Sequence, residues 1–170
     1  MAAIGQSNNV YTTVALSRYV TAVASGKKYN YQLMNKIVDA DGKTVKKYKA
    51  DYEDISDTLT SSQWDAIHSG MREVVSTMDR FQGFDIPVAG KTGTAQITNN
   101  EPNHALFVSF APYENPEISI TVVIPNGFSS SNAAELASKV YQYYYDKSSR
   151  KKLMDGKVSS PAMGGTRQTD

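Results

Sequence analysis

The sequence of 170 residues contains no cysteine and only two histidines, His68 and His104. The lack of cysteine excludes disulfides, thiolate metal sites and a cysteine nucleophile. The two histidines are far apart in the sequence and have no carboxylate at ligand spacing, so we expect neither a metal site nor a cofactor. The composition therefore gives no support to thiol or metal chemistry.

The chain also lacks an excess of charge of either sign and any long apolar run. Its 18 basic and 17 acidic residues give a net charge of +1, which provides no field to hold nucleic acid. No apolar run approaches the roughly 20 residues that a membrane-spanning helix needs, and no signal peptide follows Met1. We therefore expect a soluble chain without a nucleic-acid partner or a membrane anchor.

Two helices are predicted in the first half of the sequence. Thr12 or Thr13 can cap the first helix, and Gly26 is expected to end it. Its apolar stripe consists of Ala15, Leu16, Tyr19, Val20 and Val23. The second helix begins with a capping box formed by Thr60 and Gln63. Its apolar stripe consists of Trp64, Ile67, Met71 and Val75. His68 lies on the same face, where a lone histidine is typically a hydrogen-bonded core residue rather than a catalytic one.

The segment between these helices predicts a hairpin and an acidic loop. Asp41-Gly42 suits the tight turn of a hairpin whose arms are 31–38 and 43–49. The second arm is so rich in lysine that we expect it to be a solvated edge. The acidic residues within 51–57 predict a solvated connector, because nothing in the sequence fixes their geometry as ligands.

The second half predicts two further strands and a helix. Residues 105–111 are largely apolar on both faces and 118–124 alternate, and the short connection between them indicates antiparallel neighbours. Asn132 and Glu135 predict the start of the last helix. Its apolar stripe consists of Ala133, Leu136, Ala137, Val140 and Tyr144. The order of elements predicts an α+β fold, with an antiparallel sheet flanked by helices in residues 1–146 and a polar C-terminal tail at 147–170.

The stretch Val88–Gln96 combines a lysine, hydroxyls and glycines within a run that otherwise predicts a strand. Gly90-Lys91-Thr92 resembles the end of a phosphate-binding P-loop, but that loop needs a glycine where this sequence has Asp85. The residues after Lys91 also alternate as in a strand, whereas the P-loop lysine opens a helix. A nucleotide site is therefore not expected.

A Lys-Thr-Gly triplet on a strand is instead typical of serine acyltransferases of the penicillin-binding and β-lactamase type. Lys91 would supply positive potential for a substrate carboxylate and assist proton movement among neighbouring hydroxyls. Thr92 and Thr94 are two positions apart, so they share a face of the strand and can both donate to that carboxylate. Gly93 would allow close packing behind the strand. The backbone N–H of Thr94 is a candidate oxyanion donor.

Other segments extend this likeness. They are Ile4-Gly5-Gln6, Leu16-Ser17-Arg18-Tyr19 with Ala24, Lys36-Ile37-Val38-Asp39-Ala40-Asp41-Gly42, Ala89–Gln96, and His104-Ala105-Leu106-Phe107-Val108 continuing to Ala111-Pro112. Over roughly residues 4–146 the sequence resembles the C-terminal part of the transpeptidase domain of class B penicillin-binding proteins. The family pattern usually has tryptophan where this chain has Leu106.

The resemblance implies both a fold and an activity. The fold would be part of the β-lactamase/transpeptidase architecture, and the activity would be peptidoglycan D,D-transpeptidation through an acyl-serine intermediate. The implied ligands are stem peptides ending in D-Ala-D-Ala and β-lactam inhibitors, and the implied location is the extracytoplasmic face of the bacterial plasma membrane. The peptide would add as a strand beside Lys91-Thr92-Gly93-Thr94, with Lys91 and Thr94 catalytic and Thr92, Gly93 and Thr94 binding the substrate.

In the family the nucleophile and the Ser-x-Asn element precede the Ile-Gly-Gln segment, so we expect this chain to lack the nucleophile and to be inactive alone. The local matches to Ser-x-x-Lys and Ser-x-Asn do not follow the family order; they are Ser25/Lys28, Ser148/Lys151, Ser7/Asn9 and Ser130/Asn132. The expected partners are the missing N-terminal part of the domain or a second copy, joined along strand 118–124. The alternative function is a non-catalytic module that binds cell-wall peptide or protein through the same edge.

Overall fold

The computed structural model of the protein describes residues 11–96 and 101–157. Its helices are α1 (Thr13–Ser25), α2 (Ser61–Ser76), α3 (Ser130–Tyr145) and α4 (Arg150–Leu153). Its strands are β1 (Lys27–Tyr29), β2 (Lys36–Val38), β3 (Thr44–Lys47), β4 (Tyr52–Asp54), β5 (Ala89–Ala95), β6 (His104–Ala111) and β7 (Ile118–Ile124). None of the helices in these ranges has the length and apolar character needed to cross a membrane.

The central sheet has the order β5-β6-β7, and both pairs of strands are antiparallel. Helix α3 covers one face, where its small residues join Phe107 and Val122 in the larger core cluster. Helix α1 covers the other face, where Val20 and Ala24 pack with Phe110. The predicted α+β arrangement, an antiparallel sheet flanked by helices, is therefore confirmed.

Helix α1 begins and ends as its sequence predicts. The Thr12 hydroxyl accepts a hydrogen bond from the backbone N–H of Ala15, and Gly26 ends the helix with a φ of 66°. The predicted stripe is only partly correct, because Tyr19 is 63% exposed whereas Ala22 and Ala24 are buried. Alanines allow the helix to approach the sheet closely, so they line the packed face.

Helix α2 begins with the predicted capping box. The Thr60 hydroxyl accepts a hydrogen bond from the backbone N–H of Gln63, and the Gln63 side chain accepts one from the backbone N–H of Thr60. The indole Nε1 of Trp64 donates to the Ser56 carbonyl oxygen at 2.9 Å. His68 Nε2 lies 2.8 Å from the Val23 carbonyl oxygen. His68 is thus half-buried and hydrogen-bonded, as the sequence predicts, and its bond joins α2 to α1.

The predicted start of α3 is wrong, and its predicted stripe is only partly correct, since Ala133 and Ala137 are buried. The N-cap is Ser129, whereas the Asn132 side chain donates to the Gly127 carbonyl oxygen at 2.8 Å from within the first turn. The buried face consists of Ala133, Ala134, Ala137, Ser138 and Tyr141, while Leu136, Val140 and Tyr144 are exposed. Tyr141 reaches into the sheet and its hydroxyl donates to the Ser109 hydroxyl at 3.0 Å. Small side chains at the contact, not the larger aliphatic ones, therefore decide which face of α3 packs.

The hairpin is present at the predicted turn but its strands are shorter than the arms 31–38 and 43–49. Gly42 has a φ of 81°, which suits a glycine in the turn. Strands β2 and β3 are exposed throughout, as expected for a solvated edge. The acidic connector prediction is wrong for part of its length, because β4 pairs with β1 and Glu53 forms an ion pair with Lys28 at 2.7 Å.

Beyond α3 the chain forms the short helix α4. The Arg150 side chain donates to the carbonyl oxygens of Tyr143 and Tyr144 at 2.7 and 3.2 Å. These contacts satisfy carbonyl groups that the last turn of a helix leaves without partners. The rest of the predicted tail, 158–170, lies outside the described residues.

Candidate active-site strand

Strand β5 carries the Lys-Thr-Gly triplet along one edge of the sheet. Its neighbour on one side is β6, with which it pairs in register from Ala89 opposite Phe110 to Ala95 opposite His104. Within the described ranges, β5 has no strand on its other side. The backbone of this outer edge is therefore in the geometry that accepts an added peptide strand.

Two glycines in β5 differ in how closely their surroundings approach. A Cβ atom at Gly90 would lie 2.6 Å from Phe107 Cζ and 2.9 Å from the Val108 carbonyl oxygen. A Cβ atom at Gly93 would lie 3.4 Å from Leu106 Cβ, which is close to ordinary contact. The sequence predicts close packing behind the strand at Gly93. The structure has much tighter packing at Gly90 instead.

Lys91 is exposed, and Thr92 and Thr94 are half-buried. Lys91 Nζ donates to the Thr92 carbonyl oxygen at 2.9 Å and lies 3.5 Å from the Thr92 hydroxyl. Thr92 is opposite Phe107 and Thr94 is opposite Ala105, so the two threonines share a face. The strand thus places one ammonium group and two hydroxyls within a short stretch of an edge. Such a group of donors can hold a carboxylate.

The beginning of β5 is fixed by contacts that the sequence did not reveal. Arg72 of α2 donates from Nη1 to the Val88 carbonyl oxygen at 3.2 Å. The backbone N–H of Tyr113 donates to the Pro87 carbonyl oxygen at 2.8 Å. Both bonds join residues distant in sequence, and no local pattern marks them. They hold the strand in place immediately before Lys91.

The other end of β5 adjoins a tightly constrained loop between β7 and α3. His104, opposite Ala95, accepts a hydrogen bond at Nδ1 from the backbone N–H of Asn126 at 3.0 Å. Asn126 and Phe128 have φ values of 53° and 65°, which non-glycine residues rarely adopt. At Gly127 a Cβ atom would lie 2.7 Å from Ala105 Cβ. His104 therefore acts as a backbone anchor, a role that sequence reasoning missed.

The described matches to nucleophile motifs do not form a reactive pair. Ser25 is the last residue of α1 and donates to the Thr21 carbonyl oxygen, while Lys28 is paired with Glu53. Ser148 donates to Asp146 in a turn. Ser25, Ser148 and Lys28 are thus each engaged in a local contact that does not involve the other residue of its motif.

The remaining two matches are equally separate from Lys91. Ser130 is buried in the first turn of α3, and the Asn132 amide is bound to the Gly127 carbonyl. Ser7 and Asn9 lie outside the described residues, as does the Ile-Gly-Gln segment. Among residues 11–96 and 101–157, Lys91 makes no hydrogen bond to a serine.

Burial perturbs two tyrosines of α3, which packs against the sheet. Burial raises the pKa of Tyr145 to about 12, with smaller contributions from Glu117 and Tyr144. Burial also raises the pKa of Tyr141, and the hydrogen bond with Ser109 partly opposes that effect. Both phenols thus remain neutral at physiological pH and contribute to the core.

Comparison with known proteins gives one matching family and a set of relatives. The model of the family described as penicillin binding protein transpeptidase domain matches residues 1–142. Peptidoglycan D,D-transpeptidase MrdA of Haemophilus influenzae is 32% identical over 83% of this chain and 25% of its own length. Penicillin-binding protein 2A of Bacillus subtilis is 27% identical over 87% of this chain and 24% of its own length. The chain thus spans about a quarter of these relatives.

Solved structures share the fold. Penicillin-binding protein A of Mycobacterium tuberculosis, solved as a ceftriaxone acyl-enzyme complex, matches with a TM-score of 0.76 at 18% identity, over 86% of this chain and 35% of that one. Penicillin-binding protein 2 of Helicobacter pylori matches with a TM-score of 0.60 at 28% identity, over 85% of this chain and 26% of that one. The predicted likeness of fold is therefore confirmed.

Proposed function

Because the chain belongs to the penicillin-binding protein transpeptidase domain family, we propose that it forms part of a peptidoglycan D,D-transpeptidase. It would supply one wall of the active site, formed by Lys91-Thr92-Gly93-Thr94 and called the Lys-Thr-Gly wall below. The observation that carries the proposal is the position of Lys91-Thr92-Gly93-Thr94 on an edge strand, with the lysine exposed. An extended stem peptide would pair with the outer edge of β5. The parent protein would act at the extracytoplasmic face of the plasma membrane.

Each residue of the wall has a separate role in this proposal. Lys91 and the hydroxyls of Thr92 and Thr94 would hold the terminal carboxylate of D-Ala-D-Ala. Gly93 keeps the strand free of a side chain between the two threonines. The backbone N–H of Thr94 would donate to the oxygen of the tetrahedral intermediate, an interaction worth about 10²–10³ in rate.

The reaction needs a serine from outside the described residues. The serine oxygen would form an ester with the carbonyl carbon of the penultimate D-alanine. The amide bond to the terminal D-alanine would break, and that residue would leave as free D-alanine. An amine on a neighbouring strand would then attack the ester and release the serine. Lys91 would help to move the proton among neighbouring hydroxyls, and β-lactams would acylate the same serine.

We expect the 170-residue chain alone to form no covalent adduct with penicillin. The physical reason is that the Ser25 and Ser148 hydroxyls donate to the Thr21 carbonyl oxygen and to the Asp146 carboxylate, and Lys28 is paired with Glu53, so neither hydroxyl donates to a base that could activate it as a nucleophile. Intact-mass spectrometry after incubation with a fluorescent penicillin measures the adduct. A stoichiometric adduct on any serine would contradict the expectation.

The alternative function, a non-catalytic peptide-binding module, predicts a different result in a second measurement. NMR titration with a peptide ending in D-Ala-D-Ala would give saturable shifts at Lys91–Gln96 if the wall recognises the carboxylate. Such shifts together with acylation of a protein that contains the upstream residues support the transpeptidase. Shifts without acylation of that longer protein favour the binding module, and a lack of shifts contradicts both.

A second expectation concerns the outer edge of β7, where we propose that the remainder of the domain or a second copy binds. In the described part of the chain, β7 has only β6 as a strand neighbour. Two buried hydroxyls, those of Thr121 on β7 and Tyr145 of α3, have no hydrogen-bond partner there. Buried hydroxyls normally find partners, so an additional element beside β7 would complete the packing.

Light scattering coupled to size-exclusion chromatography, combined with amide hydrogen exchange, tests this expectation. A monomer should show fast exchange at the amides of Ile118–Ile124 that point away from β6, because those groups face solvent. A dimer formed through this edge should protect the same amides. Slow exchange at all of these outward-pointing amides in a monomer would contradict the proposal that the remainder of the domain or a second copy binds at this edge.

A further inference from the structure

The hairpin formed by β2 and β3 concentrates positive charge that the whole chain does not show. Residues 36–49 contain five lysines and two aspartates, whereas the rest of the chain has thirteen basic against fifteen acidic residues. The small net charge of +1 therefore conceals a strongly basic segment and a mildly acidic remainder.

This segment projects away from the rest of the described chain. All residues from 30 to 47 are exposed, including both strands of the hairpin. Apolar side chains are among them, with Leu33 104%, Met34 57% and Val45 67% exposed. A hairpin of two strands buries little by itself, so its exposed aliphatic groups are available to another surface.

The pairing of the two strands places like charges opposite each other. Lys36 is directly opposite Lys47. Like charges at such positions are unfavourable, and none of the hairpin lysines Lys36, Lys43, Lys46 and Lys47 forms an ion pair with a carboxylate of the described ranges. A bound anionic surface would relieve this repulsion.

The hairpin carries an exposed aliphatic group beside this charge. Lys36 and Lys47 are directly opposite each other, so their side chains share a face. The register shift opposite Ile37 and Val38 leaves Val45 without a partner on β2, and its side chain is 67% exposed. The acidic residues Asp39 and Asp41 are at the turn, and Asp39 accepts from the backbone N–H groups of Asp41 and Lys43. The strands, rather than the turn, therefore present the cationic surface.

We propose that the exposed hairpin, through the face that carries Lys36 and Lys47 and through the exposed side chain of Val45 beside it, docks on a membrane surface that contains anionic phospholipid. The lysines would contact headgroup phosphates. The side chains of Val45 and of Leu33, which lies just before β2, would enter the boundary between the headgroups and the acyl chains. The combination of lysines with exposed aliphatic groups favours a lipid surface over a soluble polyanion, which offers no apolar layer. This surface acts independently of the Lys-Thr-Gly wall and of the proposed function.

Co-sedimentation of the 170-residue chain with vesicles tests the proposal. We expect binding to vesicles of phosphatidylglycerol and phosphatidylcholine in equal proportion, weak binding to phosphatidylcholine alone, and loss of binding as salt increases. The double variant Lys36→Gln/Lys47→Gln should lower the partition coefficient at least tenfold. Both residues are exposed, so circular dichroism should show an unchanged fold.

A matched control removes the same charge elsewhere. Lys139→Gln/Lys152→Gln changes two exposed lysines of α3 and the adjoining α4 and should alter partitioning less than twofold. Leu33→Ser/Val45→Ser keeps the charge and should also weaken vesicle binding. Equal losses in the two lysine doubles, or an absence of vesicle binding by the unmodified chain, would overturn the proposal. Full competition by soluble polyphosphate with no effect of the Leu33/Val45 double would instead identify a soluble polyanion as the partner.

Discussion

Replacing Gly90 by alanine is expected to lower the free energy of unfolding by about 1–3 kcal/mol, although it adds a single methyl group. That methyl group would lie 2.6 Å from Phe107 Cζ and 3.0 Å from Ser109 Cβ. Phe107 is fully buried and cannot move aside without disturbing Phe81, whose ring centroid is 5.9 Å away. The strain therefore reaches both β6 and the cluster beneath α3. Urea unfolding followed by circular dichroism measures the change.

Gly93→Ala is the matched control, because it makes the same chemical change three residues further along β5. Its nearest neighbour would be Leu106 Cβ at 3.4 Å, a contact that small shifts can accommodate. We expect its stability to remain within about 0.5 kcal/mol of the original. Equal destabilisation by the two variants would show that the cost does not come from the close contact of Gly90 with Phe107 and Ser109.

Replacing Lys91 by glutamine is expected to weaken binding of a peptide ending in D-Ala-D-Ala by roughly 10- to 100-fold, since a hydrogen bond to a charged group contributes about 1.5–3 kcal/mol. Stability should change little, because Lys91 is exposed and its amine bonds only to Thr92 among the described residues. The affinity comes from the NMR titration of Lys91–Gln96, and the unfolding midpoint is measured in parallel.

Lys139→Gln serves as the control for net charge in this experiment. Lys139 is exposed on α3, so its loss removes the same charge without altering the wall. An unchanged affinity is expected for this variant. If both substitutions weaken the peptide equally, the attraction is a general effect of charge and Lys91 does not hold the carboxylate.

The sequence predicts those elements whose signals are local. The capping box of Thr60 and Gln63 marks the start of α2, and the alternation of 118–124 marks β7. The Lys-Thr-Gly strand follows from residue types within a few positions. In each case short-range hydrogen bonding or side-chain period decides the conformation, so single-sequence reasoning suffices.

The sequence fails where distant contacts decide the outcome. The β1–β4 pairing depends on residues about 25 positions apart, joined by Lys28 and Glu53. Asn132 would make a good cap in isolation, but Gly127 provides a competing carbonyl and Ser129 becomes the cap. The support of β5 by Arg72 likewise has no local signature. Such contacts become apparent only once the elements are assembled.

Trp64, the only tryptophan of the chain, offers an intrinsic fluorescence signal for the packing of α2 behind β5. Its indole N–H is bound to Ser56 before α2, and its ring centroid is 6.2 Å from that of His68, which contacts both α1 and the Phe110 ring. Movement of α2 away from the sheet therefore changes the polarity around the indole. Its fluorescence emission would report, without any label, whether a peptide seated on β5 alters the packing behind that strand.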